Sequence, residues 1–294
     1  MTNKEEDHIE FIKNHRVGYN SQTKKVEILP LLEFEQANLN AIHLNQNSIF
    51  VKSRQMHFTS LVSSYAAWFA ATQHNKNIVI VCPTTSQASE FLNKTKATLQ
   101  NYFGESWKKN IVQNTKRYIT LKNGSTIESI GSSISAGRGK MLDLLIFDEA
   151  AYVEHIDTIW MAAGIALKHE EGKCIMYSSV NYEDDFFLTT YYNAKKKENN
   201  FVPVKRIWSD NPYNNISFYE YMFKILGSEL VKQEYDCIPR SKEIKSNRNN
   251  IITFRIDMWM EKEINKKLLQ KSEEFKENYT LSTYLRELIL KDLK

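Results

Sequence analysis

The segment Lys52-Ser53-Arg54-Gln55-Met56-His57-Phe58-Thr59 gathers an ammonium, a guanidinium and two hydroxyls into one short stretch. It lies directly behind the apolar run Ser48-Ile49-Phe50-Val51 and ahead of a helix-like stretch from Leu61 to Ala71. A buried strand that turns sharply into a helix leaves amide N–H groups unpaired and aims the positive end of the helix dipole outward, so such a turn can hold an anion. The usual phosphate loop reads G-x-x-x-x-G-K-[ST], with the lysine on the outer phosphates and the hydroxyl on magnesium. Here Phe58 stands at the lysine position, Thr59 and Ser60 follow, and the nearest lysine, Lys52, opens the loop. Taken alone, the segment also reads as an ordinary strand-to-helix turn.

Lys52, Ser53, Arg54, Gln55, Phe58 and Thr59 match, in order, a deviant loop of the form K-S-R-Q-x-G-[aromatic or aliphatic]-[ST]. The segment thereby resembles the ATPase domain of the large terminase subunit of tailed bacteriophages, the motor that pumps DNA into procapsids. The chain departs from the pattern at His57, where the family has glycine. Glycine supplies positive φ and a close backbone approach to phosphate, and a side chain there costs something on both counts. The resemblance implies that residues Lys52 to Ser60, with Met56 and His57 among them, wrap a nucleotide, that Lys52 senses phosphate, and that Thr59 holds magnesium.

Downstream, Leu144-Leu145-Ile146-Phe147-Asp148-Glu149 is an apolar run ending in two acids, the form of a buried parallel strand whose carboxyl end opens on a site. It follows the loop by roughly ninety residues, which suits an open parallel sheet with intervening helices and a hairpin. Asp148 is expected to hold magnesium and Glu149 to activate water. Cys174-Ile175-Met176-Tyr177-Ser178-Ser179-Val180-Asn181 resembles the family's T-T-P-N coupling motif, with Val180 in place of proline, so Ser178, Ser179 and Asn181 are expected to sense the γ-phosphate. Ser135-Ala136-Gly137-Arg138-Gly139 resembles the small-R-G segment before the acidic strand. Arg54 and Arg138 are therefore the candidates for transition-state charge stabilisation, while a solvated loop arginine is the plain alternative for Arg138. Upstream, Phe34 and Gln36 resemble an aromatic-plus-glutamine element that reads adenine, since an amide can pair with both N6 and N7 of the base.

Composition agrees with this reading without producing it. The 294 residues suffice for one large α/β core and a small appendage, and the net charge of +4 is too modest for a bulk polyanion binder. Cys82, Cys174 and Cys237 lack metal-ligand spacing and read as small core hydrophobes. No apolar stretch has the length of a membrane span and the N-terminus is too polar for a signal peptide, so a soluble protein of the host cytoplasm is expected. Residues 1–30 read as a polar lead-in and 31–238 as the P-loop NTPase domain, a mainly parallel sheet flanked by helices. Within it, Ile78 to Pro83 reads as a core strand capped at Thr84-Thr85-Ser86 before a helix through Leu99. Tyr118 to Leu121 and Thr126 to Ser129 read as a hairpin about Asn123-Gly124.

Residues 239–250 are polar and charged and read as a linker. A full-length family member would here enter a nuclease domain, and no comparable cluster of acids follows; Asp184-Asp185 reads as a solvated helix start. Instead, Ile252, Phe254 and Ile256 alternate with Thr253 and Arg255, and two helix-like stripes follow. Residues 251–294 thus resemble a ribbon-helix-helix unit of Arc or MetJ type, which implies dimerisation and places Thr253 and Arg255 toward DNA base edges. A helical hairpin serving only oligomerisation is the alternative. The sequence as a whole implies an ATP- and Mg2+-dependent ATPase acting on double-stranded DNA in phage genome packaging, without nuclease activity. A portal and a small terminase subunit are its implied partners, and the tail its means of homo-oligomerisation. The competing reading is a non-catalytic nucleotide-sensing DNA-binding regulator, or decoy subunit, with a degenerate core.

Overall fold

The computed structural model describes residues 7–20, 23–134, 139, 141–167 and 171–240. In chain order the elements are α1 (His8–His15), β1 (Val17–Asn20), β2 (Lys25–Ile28), α2 (Glu33–Leu44), β3 (Asn47–Lys52), α3 (Phe58–Thr72), β4 (Asn77–Cys82), α4 (Thr85–Phe103) and α5 (Trp107–Asn110). They continue as β5 (Ile111–Asn114), β6 (Tyr118–Leu121), β7 (Thr126–Gly131), β8 (Leu144–Asp148), α6 (Ile156–Ala166), β9 (Lys173–Ser178), α7 (Phe186–Lys195), β10 (Phe201–Arg206) and α8 (Ile216–Glu234). The chain divides into two units, Met1–Lys242 and Glu243–Lys294. The expected ribbon-helix-helix segment, with Thr253 and Arg255, lies in the second, outside the described residues.

Eight strands form one sheet in the order β10-β3-β9-β8-β4-β7-β6-β5. All pairs from β10 to β7 are parallel, and β6 and β5 complete the sheet antiparallel. Strict alternation along the central strands divides the core. Phe50, Ile78, Ile80, Ile146, Ile175 and Tyr177 pack on one face against residues of α1 to α4. Ile49, Val51, Val79, Val81, Leu145, Phe147 and Met176 pack on the other against α6 and α7. Both faces of these strands are covered, which is why they read as continuous apolar runs rather than as alternating ones. The three cysteines are free and buried, as expected of core hydrophobes.

The β6–β7 hairpin forms where Asn123-Gly124 predicted it. Gly124 has φ +86, and a Cβ there would fall 2.0 Å from Asn75 Oδ1, so the turn demands glycine twice over. The Asn123 amide donates to the carbonyls of Ala70 (2.8 Å) and Gln73 (2.7 Å), tying the hairpin to the end of α3. Among the described residues no helix is long and apolar enough to cross a membrane.

The N-terminal stretch differs from its reading as a lead-in. Phe11 and Ile12 of α1 are fully buried in the core, and β1 and β2 pair antiparallel. Their apolar content is too sparse for the periodicity to stand out among charged neighbours. Arg16, 1 % exposed, closes this segment onto α2 by donating two 2.9 Å bonds to the Glu35 carboxylate. Burial alone would raise the Glu35 pKa, but a hydrogen bond from His57 and the Arg16 charge hold it below its ordinary value. A depressed carboxylate contributes stability that is complete above the ordinary glutamate range and fades as pH falls through the lowered value. Arg16→Met strands the Glu35 charge and is expected to cost about 3–5 kcal/mol at neutral pH by urea unfolding. Its deficit relative to the parent should shrink on acidification.

Candidate nucleotide site

Three neighbouring parallel strands deliver the site. β9 lies between β3 and β8, with Val51 opposite Ser178 and Asp148 opposite Tyr177, so the carboxyl ends of all three finish at one level. At the end of β3, Lys52 is 5 % exposed. Its ammonium donates to Glu149 Oε1 at 2.5 Å. The other oxygen of Glu149 accepts from Ser178 Oγ and from the Ser179 amide, both at 3.3 Å. Glu149 makes these contacts from a left-handed backbone, φ 49 and ψ 52. A non-glycine residue adopts that geometry at a cost that neighbouring contacts must offset.

The loop then turns into α3. Gln55 and His57 both have positive φ, 60 and 54. His57 is the residue preceding the first turn of α3, at the position where glycine was expected, and it takes the backbone geometry that glycine favours. Its Nδ1 lies 3.5 Å from Glu35 Oε1, and Arg16 Nε donates to Ser60 Oγ at 3.1 Å. The Arg16–Glu35 pair therefore braces the loop from beneath. At the second residue of the helix, Thr59 Oγ1 donates to Asp148 Oδ1 at 3.1 Å. Asp148 is nearly buried, and that burial, reinforced by the negative charge of Glu149, pushes its carboxyl up to about 6. Met56 and Phe58 face inward as core residues.

A third element holds the loop from the side. Ser53 N–H donates to Arg206 O and Arg54 N–H to Glu234 O, at 2.9 and 2.8 Å. Ser53 Oγ donates to Tyr235 O, and Arg54 Nε forms an ion pair with Glu234 Oε2 at 3.1 Å. Gln233 Nε2 donates to Val180 O at 2.9 Å, so the end of α8 bridges the loop and the strand-end segment after β9.

A cavity of about 760 Å³ opens over the loop; Lys52, Arg54, His57, Thr59 and Glu149 line it, with Lys94 of α4 opposite. A second, of about 670 Å³, adjoins it and shares Gln55, His57, Ser60 and Lys94. Its other walls come from Arg16 and β1, from Leu29, Pro30 and Leu32, and from Asn211, Tyr213 and Asn214.

Lys52 to Ser60, Asp148, Glu149, Ser178 and Ser179 thus converge. Asn181 lies just beyond, its amide 3.5 Å from Ala151 O. Gln36 sits half-exposed on α2 outside both cavity linings, while the adjacent Glu35 is the residue that reaches the loop. Arg138 lies outside the described residues. Sequence reasoning missed Arg16, Glu35, Lys94 and Glu234. Of these only Glu35 carried a signal, because it stands where a capping glutamate would accept from the Leu32 amide, as it does at 3.0 Å.

Known proteins share the family and the fold. Residues 49–268 match the family described as terminase large subunit, T4likevirus-type, N-terminal. The fold is similar to the large terminase ATPase domain of Thermus phage P74-26, with TM-score 0.55 and 16% identity, over 67% of this chain and 90% of that one. It is also similar to the large terminase of thermophilic bacteriophage D6E solved with ADP (TM-score 0.56, 15% identity, 71% of this chain, 53% of that one). The HK97 bacteriophage large terminase matches at TM-score 0.56 and 18% identity, over 95% of this chain and 55% of that one. The chain thus spans about half the length of these two larger terminases. On the family match and the shared fold, this chain belongs to the terminase large subunit family, T4likevirus type, by its N-terminal region.

Proposed function

We propose that the loop cavity binds ATP with magnesium and that the chain hydrolyses it to drive DNA in phage genome packaging. The observation that carries this reading is the 3.1 Å contact between Thr59 and Asp148, which unites a hydroxyl from the loop with a strand-end carboxylate. Large terminase D6E, solved with ADP and with ATP-gamma-S, lends further support. Duplex DNA, a portal, a small terminase subunit and further copies of the chain are the partners that go with this function, in the host cytoplasm.

The oxygen donors suit magnesium, which takes one or two carboxylates and completes its shell with water and phosphate. Burial and the neighbouring Glu149 charge raise the Asp148 carboxyl, and a bound cation would offset both. Thr59 and Asp148 would hold the ion, which supplies charge neutralisation to the phosphate oxygens. Lys52 is the phosphate lysine; in exchanging Glu149 for phosphate it frees that carboxylate to accept a proton from water. Ser178 and Ser179, already bonded to Glu149, register the change, with Asn181 beyond them. Arg54 supplies charge to the transferring group once released from Glu234, and Arg138 is a second candidate. The adjoining cavity, with Tyr19, Tyr213, Asn211 and Asn214 in its lining, takes the base, rather than the neighbourhood of Gln36.

Glu149→Gln is expected to keep ATP binding by calorimetry and lose turnover, and Lys52→Ala to lose turnover, while Lys116→Ala, assayed without DNA, matches the parent. Normal turnover in Lys52→Ala would sink the assignment. ATP binding without turnover in the parent would instead favour the nucleotide-sensing regulator.

Because His57 already holds its left-handed geometry, the strain falls on folding rather than on binding. His57→Gly should leave stability within about 1 kcal/mol, whereas β-branched His57→Val should lose about 1–3 kcal/mol in chemical denaturation. Equal stabilities for the two would show that the loop relaxes to another backbone.

A further inference from the structure

At the sheet edge remote from the loop, the stretch from Ser106 to Ile127 carries five basic residues, Lys108, Lys109, Lys116, Arg117 and Lys122, and no acid. All five are exposed, and among the described residues none belongs to an ion pair. They fall into two groups. Lys108 and Lys109 lie on α5, and Lys122 joins them because its amide donates to Asn110 O at 2.8 Å. Lys116 and Arg117 occupy the turn closed by the 2.8 Å bond from Thr115 N–H to Tyr118 O. The Lys96 ammonium braces that turn by donating to Thr115 O.

Between the groups runs β5, Ile111-Val112-Gln113-Asn114, the terminal strand of the sheet. Lysines that merely keep an edge from pairing with another chain belong on the edge strand itself. β5 has none; its exposed Gln113 and Asn114 are neutral hydrogen-bonding groups flanked by charge. Five residue steps lead from Asn110 to Thr115, roughly 17 Å at about 3.3 Å each. Duplex DNA offers two rows of phosphates across a major groove about 12 Å wide, within reach of long side chains leaning inward from both groups. The edge also stands six strand steps from β3, roughly 29 Å at about 4.8 Å per step, so these charges are not part of the nucleotide site.

We propose that the β5–β6 hairpin and α5 form a phosphate-gripping surface for duplex DNA, one basic group on each wall of the groove. The proposal rests on the reading that this chain acts on DNA and adds where the ATPase domain holds it. Such contacts are read by salt, since each neutralised phosphate adds about 0.9 to the slope of log affinity against log salt concentration.

The test uses the full chain and a fluorescent duplex of arbitrary sequence, titrated between about 50 and 200 mM salt. Lys108, Lys109, Lys116 and Arg117 are changed together to Gln. The charge-matched control changes Lys24, Lys25, Lys195 and Lys196 to Gln, all exposed and remote in sequence from the hairpin. With unchanged thermal unfolding midpoints, the hairpin variant should bind about ten-fold or more weakly, with a slope lower by about three to four, and the control within about two-fold of the parent. A hairpin variant with the parent's affinity and slope, or a control that falls equally, overturns the surface yet leaves the DNA reading intact. A parent chain with no salt-dependent binding to duplex overturns both.

Discussion

Burying the ammonium of Lys52 at the end of a fully covered strand is costly unless a negative charge meets it. Glu149 supplies that charge, and much of the surrounding geometry follows. The carboxylate reaches Lys52 because Glu149 leaves β8 in a left-handed turn. That turn is held because its other oxygen accepts from Ser178 and Ser179 at the end of β9, the strand inserted between β3 and β8. A lysine, an acid and a pair of hydroxyl residues widely separated in sequence thus become one hydrogen-bonded unit through parallel strand register.

The same logic explains how the loop tolerates histidine. Its left-handed residue is anchored from below by Glu35, which is itself neutralised by Arg16 in a bidentate pair. The contacts run from Arg16 to Glu35 to His57, and the N-terminal segment thereby becomes structural support for the loop. Such a chain of contacts substitutes side-chain anchoring for the conformational freedom that glycine would provide.

The core strands and the loop were legible because both signals are local. Apolar runs bounded by chemistry-bearing residues gave β3, β4, β8 and β9, and Asn-Gly gave the β6–β7 turn. What escaped was carried by residues whose partners are remote in sequence. Arg16 reads as one more charge in a polar stretch until α2 is folded against it. Glu234 reads as a solvated helix acid until α8 brings it to Arg54. The helix α8 has few buried residues and a break at Gly227, so it lacks the apolar stripe that announces an element.

The clasp of the loop by the end of α8 has a consequence for the order in which the protein is built. Ser53 needs Arg206 and Tyr235, and Arg54 needs Glu234, so these bonds close across separations of up to 182 residues. Contacts of such range form late, after closer pairings have shortened the effective loop. On a ribosome, β3 and α3 emerge long before β10 and the end of α8. The nascent chain therefore passes through a period in which its central strands can pair while the turn from β3 into α3 lacks its side wall. Completion of the turn waits for the end of α8, which links readiness of the site to synthesis of nearly everything from α1 to α8.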